Sequence, residues 1–286
     1  MSTVDRRVDL AKPSQRWLHR LGTLREPTVP QSFALDEVNR HLYVLQVTRG
    51  GLEAGDLCLN RLDYQGHARG HMYLRGFGHG VSMGVQNEAD GTAWIWTEAD
   101  ALRGYGRGVT RFHFVAGATR TAEDVKIRHP VKGSRHNQPA VCMASRRIAV
   151  RYHLHNGPRY RVWDLDAFVA RDYADPVADL AQTGAHPDPG IPFQGYALSG
   201  DHLYQLAGTA YDDTANPPAG HGNTYVSCLD IRTGALLQQC RTEAGHSLDF
   251  REPEGLAVRR SPTPRLCVGF ASGEPGARRL SVYYKQ

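Results

Sequence analysis

A chain of 286 residues with 41% hydrophobic and 22% charged residues has the composition of a globular protein large enough to bury a core without staples. Its net charge of +5 is spread among acids, and no apolar run approaches the ~20 residues a membrane-spanning helix needs. The first residues, "MSTVDRRVDLAKPSQRW", contain no apolar signal-peptide core, so the expected location is cytoplasmic.

Taken in chain order, five stretches repeat one layout of apolar strand, polar turn and second strand rich in Val, Leu and aromatics. They are "QSFALDEVNRHLYVLQV" from Gln31, "VSMGVQNEADGTAWIWTE" from Val81, "QPAVCMASRRIAVRYH" from Gln138, "QGYALSGDHLYQLAG" from Gln194 and "EGLAVRRSPTPRLCVGFA" from Glu254. Their starts are 50, 57, 56 and 60 residues apart. Each turn carries Asn, Asp, Gly, Ser or Pro, as hairpins require. A third strand follows in "LCLNRLDYQG", "TRFHFVAG", "YRVWDLDAF", "TYVSCLDIRTG" and "LSVYYK". Fourth-strand candidates are "HMYLRGF", "EDVKIRH", "PVADLAQ" and "LLQQCRT". Four short strands per unit of this length are the signature of a β-propeller blade. The reading is an all-β, five-bladed propeller of four-stranded antiparallel blades filling residues 1–286 as one domain. The blades cover approximately 31–77, 81–130, 138–183, 194–243 and 254–286. The fifth unit lacks a fourth strand, so a strand near 15–24 is expected to complete it and close the ring.

In such a ring the loops entering the innermost strands gather at one mouth of the central channel. Gln31, Gln138, Gln194 and Glu254 open inner strands, and His79, between Gly78 and Gly80, precedes another. They are candidate ligand-binding residues, with Glu252 beside them. Gln46, Trp96, Glu98, Arg151, Tyr152 and Gln205 sit where second strands arrive at the same face. Amides satisfying backbone groups around a water-filled channel, and aromatics packing between blades, are the structural alternative. The acid-free stretch "KIRHPVKGSRH" (126–136) could attract an anion, with Arg135 and Arg151 as phosphate-binding candidates. The loop at 207–224 carries Asp212, Asp213 and His221 without metal-ligand spacing. Five cysteines without a CxxC signal neither a disulfide framework nor zinc, and are read as reduced core thiols.

The segments "GDLCLNRLDYQGHARGHMYLRGFGHGVSMGV", "WIWTEAD", "FQGYALSGDHLYQL", "GNTYVSCLDIRTG" and "REPEGLAV" resemble the teichoic acid biosynthesis protein C-like, or phage receptor-binding-protein-like, β-propeller domains, including their actinobacterial members. The resemblance runs from about Val8 to Lys285. It implies five blades and cell-wall glycopolymers as ligands of some members, and many of these carry export signals.

These observations point first to a binding module for a polyhydroxylated or anionic, sugar- or phosphate-type ligand at the channel mouth. The alternative is an intracellular biosynthetic enzyme of lyase, cyclase, isomerase or glycoside hydrolase type, with His79, Glu98 and Glu254 as acid and base. A protein-interaction scaffold is the third reading. No phosphate loop or dinucleotide fingerprint is present. No cofactor, metal or specific nucleic-acid partner is expected.

Overall fold

A computed structural model describes residues 6–260 and 262–286; residues 1–5 and Ser261, which the sequence reading places inside the domain, lie outside the described residues. The first blade is β2 (Pro30–Asp36), β3 (His41–Val47), β4 (Leu57–Asp63) and β5 (Ala68–Arg75). The second is β6 (Gly84–Asn87), β7 (Ala93–Leu102) and β8 (Tyr105–Phe112). The third is β10 (Arg135–Cys142), β11 (Arg147–Leu154), β12 (Gly157–Asp164) and β13 (Ala178–Ala181). The fourth is β14 (Phe193–Ser199), β15 (His202–Ala207), β16 (Tyr225–Asp230) and β17 (Leu236–Arg241). The fifth is β18 (Glu252–Arg259), β19 (Arg265–Ser272) and β20 (Arg279–Lys285), completed on its outer edge by β1 (Gln15–Leu21). Strand β1 pairs antiparallel with β20, so the two ends of the chain share one sheet and the ring closes as expected.

The strand centres are buried on both faces, as in β3, because each blade is packed between two neighbours. Five apolar clusters fill the five inter-blade spaces. Leu45, Met72, Phe77 and Ile95 join blades one and two, and Trp96, Val109, Ile148 and Trp163 join two and three. Ala149, Val162, Leu198 and Leu203 join three and four. Tyr204, Leu206, Val268 and Phe270 join four and five, and Phe33, Val44, Cys267 and Val282 join five and one. All five cysteines are free. Burial pushes the Cys58, Cys228 and Cys267 thiols up to about 12, which leaves them as inert core side chains.

Two details differ from the sequence reading. The segment 123–129 forms no fourth strand in blade two; it meets β8 through the isolated bridge Val109 to Arg128 and through the Thr110 hydroxyl, which donates to Lys126 O at 3.2 Å. The short β9 (Thr119–Thr121) instead crosses to blade one and pairs parallel with β5. The inner strand of blade two also starts at Gly84 rather than Val81, because residues 81–83 are spent at the axis. There the Ser82 hydroxyl donates to Pro139 O at 3.0 Å, across to the next blade.

The five inner strands meet on that axis. The Ser32 hydroxyl donates to the Gly80 carbonyl. A Cβ on Gly195 would lie 2.9 Å from Gly255 Cα and 3.3 Å from Val81 O, and one on Gly255 would lie 2.8 Å from Ser32 Cα. Glycine is required at both positions, which also have φ of +136° and +79°. The contacts form a backbone constriction between inner strands.

Candidate functional site

One mouth is built from the loops entering the inner strands, and its shape starts with Glu98 on β7. This side chain is fully buried. Its Oε1 accepts the Gly80 N–H at 2.6 Å and its Oε2 accepts the Gly106 N–H at 2.7 Å. A Cβ on Gly78 would overlap the Glu98 carboxyl carbon at 2.3 Å. The glycines flanking His79 therefore let the loop wrap over a buried carboxylate, which presents the imidazole to the mouth. Burial pushes Glu98 up to about 7, against the opposing effect of the N–H groups of Gly106, Gly80 and His79. Engaged in this way, Glu98 is a positioning group for the His79 loop and not an open acid or base.

Glu98 belongs to a set of second-strand residues with one task. Gln46 Nε2 donates to Glu26 O and Thr28 O at 2.7 and 2.8 Å, holding the segment that enters β2. Gln205 Nε2 donates to Thr183 O at 2.8 Å, on the segment that leads into β14. Arg151 Nε donates to Gln182 Oε1 at 2.7 Å and its Nη1 to Gln138 Oε1 at 3.1 Å. These side chains, together with Gln138, are buried, so they do not reach the ligand face as expected. Buried amides and guanidinium groups need partners, and the entering linkers supply them. Trp96 and Tyr152 are likewise interior, packed between blades two and three rather than open for stacking. Trp96 Nε1 donates to Gln86 Oε1 at 2.9 Å, and the Tyr152 hydroxyl donates to Asp179 Oδ1 at 3.3 Å.

Above this buried layer stands a ladder of four rings. His79 stacks on Tyr105 with centroids 5.1 Å apart and planes 7° off parallel. Tyr105 stacks on His136 at 3.9 Å and 4°, and His136 stacks on His153 at 4.6 Å and 23°. His136 holds its place through a left-handed backbone, φ +55°, at the irregularity between Arg135 and Gln138. His79 Nδ1 and His153 Nε2 are buried nitrogens without a hydrogen-bond partner. Burial, reinforced by the nearby Arg151 charge, pushes His136 and His153 down to about 4. Burial also lowers His79. The ladder is therefore neutral at pH 7, with donor and acceptor capacity to spare. Directly beneath it, the Arg151 guanidinium lies 4.0 Å from the Phe193 ring centroid and bonds amides rather than a carboxylate, leaving a buried positive charge under the mouth.

The other expected mouth residues divide. Gln31 lines a recess of about 550 Å³ beside His79, walled by Val29, Leu52, Pro275 and Arg278. Gln194 Nε2 donates to Gly208 O at 3.3 Å. Glu252 and Glu254 turn to each other. Burial and the adjacent Glu252 carboxylate push Glu254 well up, so it keeps its proton and donates to Glu252. Arg135 is exposed at the rim next to His136. In the 207–224 loop, Asp212 Oδ1 accepts the Thr214 and Ala215 N–H groups and closes a turn, and His221 pairs with Glu243.

Tyr105 and His136 were not selected from sequence, yet a signal for His136 was present. His136 precedes Gln138 by two residues, as His79 precedes Val81, so both occupy one position of the repeat.

Comparison with known proteins agrees with this architecture. Residues 29–284 match the family described as the phage 5-bladed beta propeller receptor binding platform domain. Major teichoic acid biosynthesis protein C of Bacillus subtilis (strain 168) is 26% identical over 274 residues, 90% of this chain and 59% of that protein. The tail fiber of Staphylococcus aureus phage P68 superposes with a TM-score of 0.77 at 19% identity, over 99% of this chain and 55% of the fiber chain. An exo-beta-1,3-galactanase of Phanerochaete chrysosporium shares the fold more distantly, with a TM-score of 0.52 at 11% identity, over 98% of this chain and 64% of the enzyme. The chain thus spans little more than half the length of the first two relatives. With five blades, a ring closed by the N-terminal strand and a family match over most of its length, this chain belongs to the phage five-bladed β-propeller receptor-binding platform domain family.

Proposed function

We propose that the chain is a binding propeller that holds a polyhydroxylated, anionic cell-wall glycopolymer at the His79–Tyr105–His136–His153 mouth. The observation that carries this reading is the ladder itself: four stacked rings, three of them imidazoles, beside the recess that Gln31 and His79 line. Neutral imidazoles suit hydroxyl groups, to which they can both donate and accept. Arg135, exposed at the rim, suits phosphate, and the buried Arg151 charge beneath adds attraction without contact. The family's receptor-binding description and the teichoic acid name of the Bacillus relative agree with that ligand class. A glycosidase mechanism finds less support, because Glu98 is occupied by backbone N–H groups and Glu252 and Glu254 face one another instead of flanking a space.

The test is calorimetric titration with a soluble polyol-phosphate polymer. Saturable binding is expected, weakening as salt screens the phosphate contacts. His136 and His153, at about 4, stay neutral above pH 5.5, whereas Glu98, at about 7, titrates behind the His79 loop, so affinities are compared at one pH, 7.5. His136→Ala should weaken binding about tenfold, the equivalent of one or two hydrogen bonds. Wild-type affinity in His136→Ala would count against the ladder as the site.

A further inference from the structure

On the far side of the axial constriction the bore opens again, and its chemistry reverses. The second halves of the inner strands contribute Leu35, Val85, Val141, Leu198, Leu256 and Val258 to the lining of a cavity of about 350 Å³. All five blades contribute, and none of its lining residues lines the recess beside His79. The residues singled out from sequence form a polar ring at the other mouth; this half is apolar. Its volume lies at the lower end of small-molecule pockets, and apolar cavities of this kind take apolar guests in preference to water.

A cation stands at the rim. Arg260 lines the cavity, and its Nη2 donates to Cys142 Sγ at 2.7 Å and Ser199 Oγ at 3.4 Å, two uncharged groups. The rim acid, Glu37, accepts the Arg260 main-chain N–H at 2.6 Å. On the opposite edge Asn87 Nδ2 donates to Asp36 Oδ1 at 3.0 Å, which holds that side of the rim in place. An apolar well with a guanidinium at its lip matches a molecule that is hydrocarbon over most of its length and anionic at one end.

We propose that this axial cavity is a second binding site, for an amphiphilic monoanion of the medium-chain carboxylate class. The site is separate from the glycopolymer mouth and does not depend on it. The hydrocarbon fills the well, and the carboxylate takes hydrogen bonds from Arg260.

The experiment titrates the full chain with decanoate and, separately, with 1-decanol, by displacement of the fluorescent probe 1-anilinonaphthalene-8-sulfonate. Decanoate should bind in a saturable 1:1 manner and about tenfold or more tighter than decanol, since a hydrogen bond to a charged group is worth more than a neutral one. Arg260→Gln should abolish that preference while leaving decanol binding unchanged. Val258→Trp should remove both ligands by filling the well. Leu35→Phe, a smaller change from the facing blade, gives the same test should the tryptophan variant fail to fold. The proposal is overturned if decanoate does not bind, if both filled variants bind it as the wild type does, or if the preference for decanoate survives Arg260→Gln.

Discussion

Replacing Gly255 with alanine is expected to destabilise the protein by roughly 2–5 kcal/mol, combining the cost of a left-handed backbone with that of overpacking. The new Cβ would lie 2.8 Å from Ser32 Cα and 3.3 Å from Phe33 N. Those neighbours are backbone, so no side-chain rotation relieves the overlap, and the inner strands of blades five and one must separate. Gly195→Ala, 2.9 Å from Gly255 Cα, should behave the same way. Gly50 provides the control. It has a comparable φ of +76° and open space around it, so alanine there incurs only the backbone cost of about 1–2 kcal/mol. Urea denaturation of the three variants is the measurement. Equal losses at Gly255 and Gly50 would mean that the axis is not packed backbone on backbone.

The second large effect is expected at Glu98. Glu98→Ala removes the acceptor of the Gly80 and Gly106 N–H groups and leaves them buried, for a loss of roughly 2–4 kcal/mol. Gly78→Ala should reproduce much of it, because its Cβ would collide with the carboxyl group. Glu98→Gln is more informative about pH. The folded-state pKa of about 7 lies above the carboxylate value of 4.5. The folded chain therefore holds this proton more tightly than the unfolded chain does. The resulting contribution to stability is complete below about 4.5 and is lost as pH rises through about 7. Glutamine cannot ionise, so stability in that variant should fall less between pH 4.5 and 7 than in the wild type. Parallel pH–stability curves would show that the buried carboxylate is not the titrating group.

Much of the architecture was legible because blades repeat. Period-2 strands, turn residues and spacings of 50 to 60 residues identify five units, and the missing strand after "LSVYYK" locates the closure at the N-terminus. The site was less legible, for reasons that attach to particular residues. Gln46, Glu98, Arg151 and Gln205 occupy the strand ends that approach the mouth, but their partners are linker backbone and amides set by tertiary structure. Trp96 and Tyr152 could have stacked on a ligand, but both faces of a blade are covered, so an aromatic residue in a second strand packs inward on either side. Tyr105 opens a hairpin strand and carries no local sign of its neighbours; only the fold lays it between His79 and His136. The apolar half of the bore was hidden for a related reason. Leu35, Val85 and Leu198 read as ordinary core, and only the five blades together make them part of a cavity lining.

The proposal that neutral, stacked imidazoles at one mouth of the ring receive a polyol-phosphate chain is tested most directly by the side-chain 15N resonances of His79 and His153. They should be recorded while a soluble polyol-phosphate oligomer is titrated into the full chain. The resonances of both rings should move together and saturate with the same dissociation constant as calorimetry, as the ligand settles against the stacked rings. Calorimetric binding that leaves both imidazoles unmoved would place the ligand elsewhere and contradict the account.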